Sequence, residues 1–167
     1  MPFDSFETEL LNDAWAHMKE ESVSKRLLAF AQLKQTGLNN EGWFEWELYY
    51  RLLNVDRGWN KDKRGKGNRK KVLYGDGVDL QFSNGKFIEI RAITTEQSTM
   101  NWVLYGLADH PEAHTCLFLA LYHDRIKKWL TNNKLSQDGL SCNGKYELLL
   151  KHVNDMWLVG MIKKVTQ

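Results

Sequence analysis

Apolar residues recur at helical spacing through the first part of the chain: Phe6, Leu10, Leu11, Ala14 and Trp15, then Leu27, Leu28, Phe30, Ala31 and Leu33. Stripes of this period predict two amphipathic helices, the second ended by Gly37. Asn39 or Asn40 can cap a third helix from Glu41 to Asn54. Farther on the period changes. Val78 to Arg91 reads as two short strands joined at Asn84-Gly85, and a mixed pattern from Glu96 to Leu107 predicts a helix stopped by Pro111. Thr115 to Tyr122 is an apolar run of strand length, of the kind buried on both faces of a sheet. Asp124 can cap a short helix carrying Ile126, Trp129 and Leu130. Ser136 to Gly144 reads as a polar loop, Tyr146 to Val153 as a helix or strand, and Trp157 to Val165 as a final strand. This order predicts an α/β protein with helices packed on a mixed sheet.

The hairpin carries the chemistry. Asp79 and Glu89 put an acid on each strand, and Arg91 follows two residues after the second. A two-residue turn at Asn84-Gly85 would scatter the apolar side chains over both faces. A three-residue loop, Ser83-Asn84-Gly85 with the glycine left-handed, pairs Leu80 with Ile88 and Asp79 with Glu89. It also gathers Val78, Leu80, Phe82, Ile88, Ile90 and Ala92 on one face, which selects this register wherever a face is buried. Glu89 and Arg91 then share the other face. Two facing carboxylates repel unless a cation lies between them. Either Arg91 serves as a plain salt-bridge partner, or a divalent cation such as Mg²⁺ takes the acids as oxygen ligands.

The remaining composition narrows the class. The chain has 167 residues, 43% hydrophobic and 26% charged, which suits one ordinary globular domain. No apolar run reaches membrane-spanning length, and the first residues lack the pattern of a signal peptide. Cys116 and Cys142 are too few and too far apart for a metal spacing or a disulfide framework. A cytoplasmic protein is expected. His17, His110, His114, His123 and His152 show no ligand spacing and read as surface or packing residues, while Trp15, Trp43, Trp102, Trp129 and Trp157 read mostly as core. Glu47, four residues before Arg51, reads as half of a surface helix pair.

Net charge is only +2, but it is unevenly distributed. Arg57, Lys61, Lys63, Arg64, Lys66, Arg69, Lys70 and Lys71 stand against the single acid Asp62, with Gly58, Gly65 and Gly67 between them. The segment reads as a mobile basic loop, and such loops meet polyphosphate backbones or remain solvated. Trp59 among these cations can stack on an unpaired base. Gly65-Lys66-Gly67 lacks the spacing of a phosphate-binding loop.

Asp79, nine intervening residues, then Glu89-Ile90-Arg91 resembles the D-x(n)-(D/E)-x-K signature of the PD-(D/E)XK nuclease superfamily, with arginine in place of the lysine. The resemblance covers about eighty residues of the middle. It implies a restriction-endonuclease-like α/β fold: a three-layer core with a mixed central sheet flanked by helices, and an N-terminal helical extension. In chain order that core is a helix, a three-strand meander, a helix and a further strand. One domain over 1–167 is expected, with N-terminal helices over 1–38, the core over 39–125, and a C-terminal helix and strand over 126–167 completing the sheet. The resemblance further implies Mg²⁺ or Mn²⁺ held by Asp79, Glu89 and the Ile90 carbonyl. Arg91 would lie on the scissile phosphate, and Glu45 would be the acid of the preceding helix, orienting a water or a second ion. Gln97 matches a supporting polar position. DNA is the expected partner, gripped by Trp59, Lys61, Lys63, Arg64, Lys66, Arg69, Lys70 and Lys71, and a homodimer is expected where both strands are cut. Arginine cannot take a proton at working pH. The alternative is therefore a catalytically inactive nucleic-acid-binding or protein-interaction module of the same fold.

Overall fold

A computed structural model describes residues 3–33, 40–54, 69–71, 80–82, 85–93, 100–122 and 124–165. The first helix, α1 (Ser5–Lys19), begins where the Asp4 side chain accepts from the Glu7 amide at 2.8 Å and Glu7 returns the bond to the Asp4 amide at 3.0 Å. This reciprocal capping satisfies two otherwise orphaned donors. Its buried stripe is Phe6, Leu10, Leu11, Ala14 and Met18, as the helical period predicts. Two more helices follow, α2 (Glu21–Leu33) and α3 (Asn40–Asn54).

The sheet begins with β1 (Arg69–Lys71), β2 (Leu80–Phe82) and β3 (Phe87–Ile93), an antiparallel meander. Gly85 has φ +82°, Leu80 stands opposite Ile88 and Gln81 opposite Phe87. That is the three-residue-loop register selected by the apolar pattern. Arg69, Lys70 and Lys71, expected within the mobile basic loop, instead form a strand that lies at the edge of the sheet among the described residues, paired with Phe82, Gln81 and Leu80 respectively.

Helix α4 (Met100–Asp109) then crosses over to β4 (Thr115–Leu121), which lies parallel to β3 with Glu89 opposite Cys116 and Arg91 opposite Phe118. Parallel neighbours need such a crossover. The first six residues of β4 are buried, which is why an unbroken apolar run suits it. Next come α5 (Asp124–Asn132), β5 (Gly139–Cys142), β6 (Tyr146–His152) and β7 (Trp157–Lys164). Strand β5 lies within the expected polar loop, and Tyr146 to His152 proves to be a strand. Among the described residues the sheet has seven strands in the order β1-β2-β3-β4-β7-β6-β5.

Alternation along the strands assigns two cores. Ile88, Ile90, Leu117, Leu119, Val159 and Met161 point toward α1 and α3, where they meet Leu10, Leu11, Phe44 and Leu48. Ile93, Cys116, Phe118, Ala120, Leu158 and Ile162 point the other way, toward Met100, Val103 and Leu107 of α4 and Ile126 and Leu130 of α5. Gly160 sits between Phe118 and Leu150 in register, and a Cβ there would lie 2.7 Å from Phe118 Cζ and 2.5 Å from Leu150 Cδ2. The glycine therefore makes room for the phenyl ring.

Polar contacts join the N-terminal helices to the sheet and to one another. Buried Glu7 accepts a short hydrogen bond from Thr115 Oγ1 on β4, and Lys163 Nζ lies 3.5 Å from Glu7 Oε2. Glu47 binds His17 of α1 at 2.6 Å and Arg26 of α2 at 2.5 Å, whereas Arg51 binds Glu20 at 3.0 Å. The expected Glu47–Arg51 surface pair is thus replaced by contacts that tie three helices together.

Candidate functional site

Alternation on β3 turns Glu89 and Arg91 away from the Ile88–Ile90 face and under α4. Glu89 is 2% exposed. Arg91 Nη2 lies 2.9 Å from Glu89 Oε1, within charge-assisted hydrogen-bond range. Helix α4 presents three residues to this pair at intervals of four: Trp102, Gly106 and, just past its end, His110. The Arg91 guanidinium carbon is 5.1 Å from the Trp102 ring centre, a cation–π distance. His110 Nε2 is 3.9 Å from Glu89 Oε1.

Gly106 makes this arrangement possible. A Cβ at this position would lie 2.5 Å from Arg91 Nε and 3.0 Å from Glu89 Cγ, so any larger residue collides with the pair. Helix and strand therefore approach closely enough to enclose the carboxylate, and the guanidinium remains partly accessible at 14%. The histidine and the glycine were not evident from the sequence. The i, i+4, i+8 spacing of Trp102, Gly106 and His110 would have indicated one helix stripe, had the element covering Glu89 been known. Trp102, expected in the core, is 46% exposed.

The other expected site residues fall in different places. Asp79, Trp59, Lys61, Lys63, Arg64, Lys66 and Gln97 lie outside the described residues. Glu45 is 8% exposed on α3, the helix that packs on Ile88 and Ile90, whereas Glu89 and Arg91 face the α4 layer on the other side of the sheet. Lys86 also belongs to the α1 side, since its Nζ lies 2.5 Å from Asp4 Oδ2. Burial would raise the Asp4 carboxyl, but the Lys86 ammonium and the Glu7 amide outweigh it and hold the group below the ordinary carboxylate value. The same pairing raises Lys86 against the opposing effect of burial.

A hard divalent cation takes oxygen ligands, typically one or two carboxylates with waters and phosphate. Glu89 supplies one carboxylate here, already paired with Arg91, and among the described residues no three His, Cys, Asp or Glu side chains converge. The donor set fits such an ion only when Asp79 is added. Among the described residues no helix is long and apolar enough to cross a membrane. No family model, curated protein or solved structure matches this chain.

Proposed function

We propose that this chain is a metal-dependent, endonuclease-like protein that hydrolyses DNA phosphodiester bonds at the middle of β3. The observation that supports this most is the hairpin register, Leu80 opposite Ile88 with Gly85 left-handed. Continuing that ladder by one residue would pair Asp79 with Glu89. The chain order of helix, antiparallel meander, helix and parallel strand is the order the nuclease resemblance implies.

Asp79 and Glu89, with the Ile90 carbonyl, would hold Mg²⁺ or Mn²⁺. Such an ion, when bound, lowers the pKa of a water and stabilises charge on the transferring phosphate. Arg91 donates to phosphate oxygens through its planar fork, oriented by Glu89 on one side and Trp102 on the other. It remains charged at working pH and takes no proton. Basic residues between positions 61 and 71 hold the nucleic-acid backbone without reading sequence. No step is assigned to Glu45, which lies on α3 in the opposite layer.

The enclosure of Glu89 favours a second reading. A carboxylate 2% exposed and 2.9 Å from an arginine also suits a structural ion pair in a nucleic-acid-binding module that does not cut. Supercoiled plasmid incubated with Mg²⁺ or Mn²⁺, beside Asp79→Ala, separates the two. Metal-dependent nicking that disappears in the variant is the expected result. DNA binding without nicking selects the second reading, and neither nicking nor salt-sensitive binding sinks both.

A further inference from the structure

An open pocket of about 530 Å³ lies among the N-terminal helices, lined in part by His17, Arg26, Trp43, Trp46, Glu47 and Tyr50. Its volume is in the range that small-molecule sites occupy. We propose that it binds a planar nucleobase, with guanine preferred. The inference does not rest on cleavage at Glu89: the pocket is built from α1, α2 and α3, apart from the α4 layer that covers that carboxylate.

The polar side of the pocket is a row of acidic side chains alternating with arginines and a histidine. Arg26 Nη2 lies 2.5 Å from Glu47 Oε1, and Glu47 Oε2 lies 2.6 Å from His17 Nε2. His17 Nδ1 lies 3.8 Å from Glu20 Oε2, and Glu20 Oε1 lies 3.0 Å from Arg51 Nη1. The His17 side chain is 3% exposed and that of Glu47 12%, so this carboxylate is fixed in orientation before any ligand arrives. Two acids face two arginines, so a cationic or anionic ligand gains little net attraction.

The apolar side is aromatic. Trp46 and Tyr50 stand one helical turn apart on α3, 67% and 62% exposed, and Trp43, also in the lining, is partly buried against the core. A neutral, flat ring stacks on such side chains whatever its sequence context. Guanine matches the polar chain best. Its adjacent N1–H and N2–H donate to a carboxylate, which only accepts, and its O6 and N7 accept from a guanidinium. Uracil offers one N–H between two carbonyls and meets the carboxylate with a single bond.

Ligand-observed saturation-transfer NMR on the full chain tests this, with guanosine, uridine and arginine methyl ester as probes. Guanosine is expected to bind saturably and more tightly than uridine. Trp46→Ala and Tyr50→Ala, at exposed positions and with circular dichroism unchanged, should each weaken it by about fivefold or more, the least that one stacked base is worth. A single-stranded hexanucleotide carrying one guanine distinguishes the source. If it binds more tightly than guanosine, the pocket takes an unpaired base within a strand; if more weakly, a free nucleoside. The proposal is overturned by the absence of saturable guanosine binding, by equal affinity for uridine, by indifference to both aromatic substitutions, or by preferential binding of the arginine ester.

Discussion

Gly106→Ala changes one methyl group at the point where α4 meets the Glu89–Arg91 pair. The added Cβ would stand 2.5 Å from Arg91 Nε and 3.0 Å from Glu89 Cγ. The first distance is roughly 1 Å short of ordinary contact. Nε is not the far end of the side chain, so relieving the clash moves the guanidinium off Glu89 or lifts the helix. Losing a charge-assisted bond at a buried carboxylate costs about 1.5–3 kcal/mol. Alanine in place of glycine in a helix returns about 1 kcal/mol. The net expectation is destabilisation by about 0.5–2 kcal/mol in urea unfolding, from the difference of those two effects. The decisive comparison repeats the substitution in an Arg91→Ala background. The guanidinium is then gone, the contact with Glu89 Cγ needs only a few tenths of an ångström, and Gly106→Ala should become neutral or stabilising by up to about 1 kcal/mol. Equal destabilisation in both backgrounds would refute the view that this glycine exists to admit Arg91.

Two other substitutions probe the contacts between α1 and the strands. Thr115→Val keeps the shape of a side chain 1% exposed but removes the hydroxyl that donates to Glu7; urea unfolding should show a loss of about 1–3 kcal/mol, recovered in part by Thr115→Ser. A change within experimental scatter would argue against a stabilising hydrogen bond there. Lys86→Met removes the partner of Asp4, and with both side chains substantially exposed the cost should not exceed about 1 kcal/mol near neutral pH. Because the Asp4 carboxyl is held low in the fold, its contribution is present above its unfolded value, near 3.8, and is lost as pH falls through the folded value. Because Lys86 is raised, its contribution is present below 10.5 and is lost as pH rises through the folded value. The difference between wild type and Lys86→Met in urea should therefore be flat across the neutral range and shrink at both ends; a difference that grows in acid contradicts the pairing.

The hairpin was legible because alternation and a left-handed glycine fix register together: slipping one residue would turn Ile88 and Ile90 out of the core. Strand β4 was legible for the same reason, since both its faces are covered. Strand β5 was not. It is an edge strand whose residues alternate between half-buried and exposed, so Leu140 and Ser141 carry no more apolar signal than a loop. Strand β1 was hidden because three consecutive basic residues resemble the rest of the cationic segment. Glu47 shows a different limit. Spacing of four suggests a partner on the same helix, but its contacts, His17 and Arg26, come from two other helices. Of the site, the shared face of Glu89 and Arg91 followed from strand period alone. The covering stripe of Trp102, Gly106 and His110 depended on how α4 crosses to β4, which no local pattern records.

The proposed chemistry depends on a divalent cation held by Glu89 with Asp79. Titration with Mn²⁺, followed by the loss of its free electron-paramagnetic-resonance signal, tests this without requiring turnover. One saturable site is expected in the wild-type chain, abolished by Asp79→Asn and by Glu89→Gln in variants whose circular dichroism is unchanged. Absence of saturable binding, or binding that survives both substitutions, would contradict it and leave Glu89 as the buried partner of Arg91.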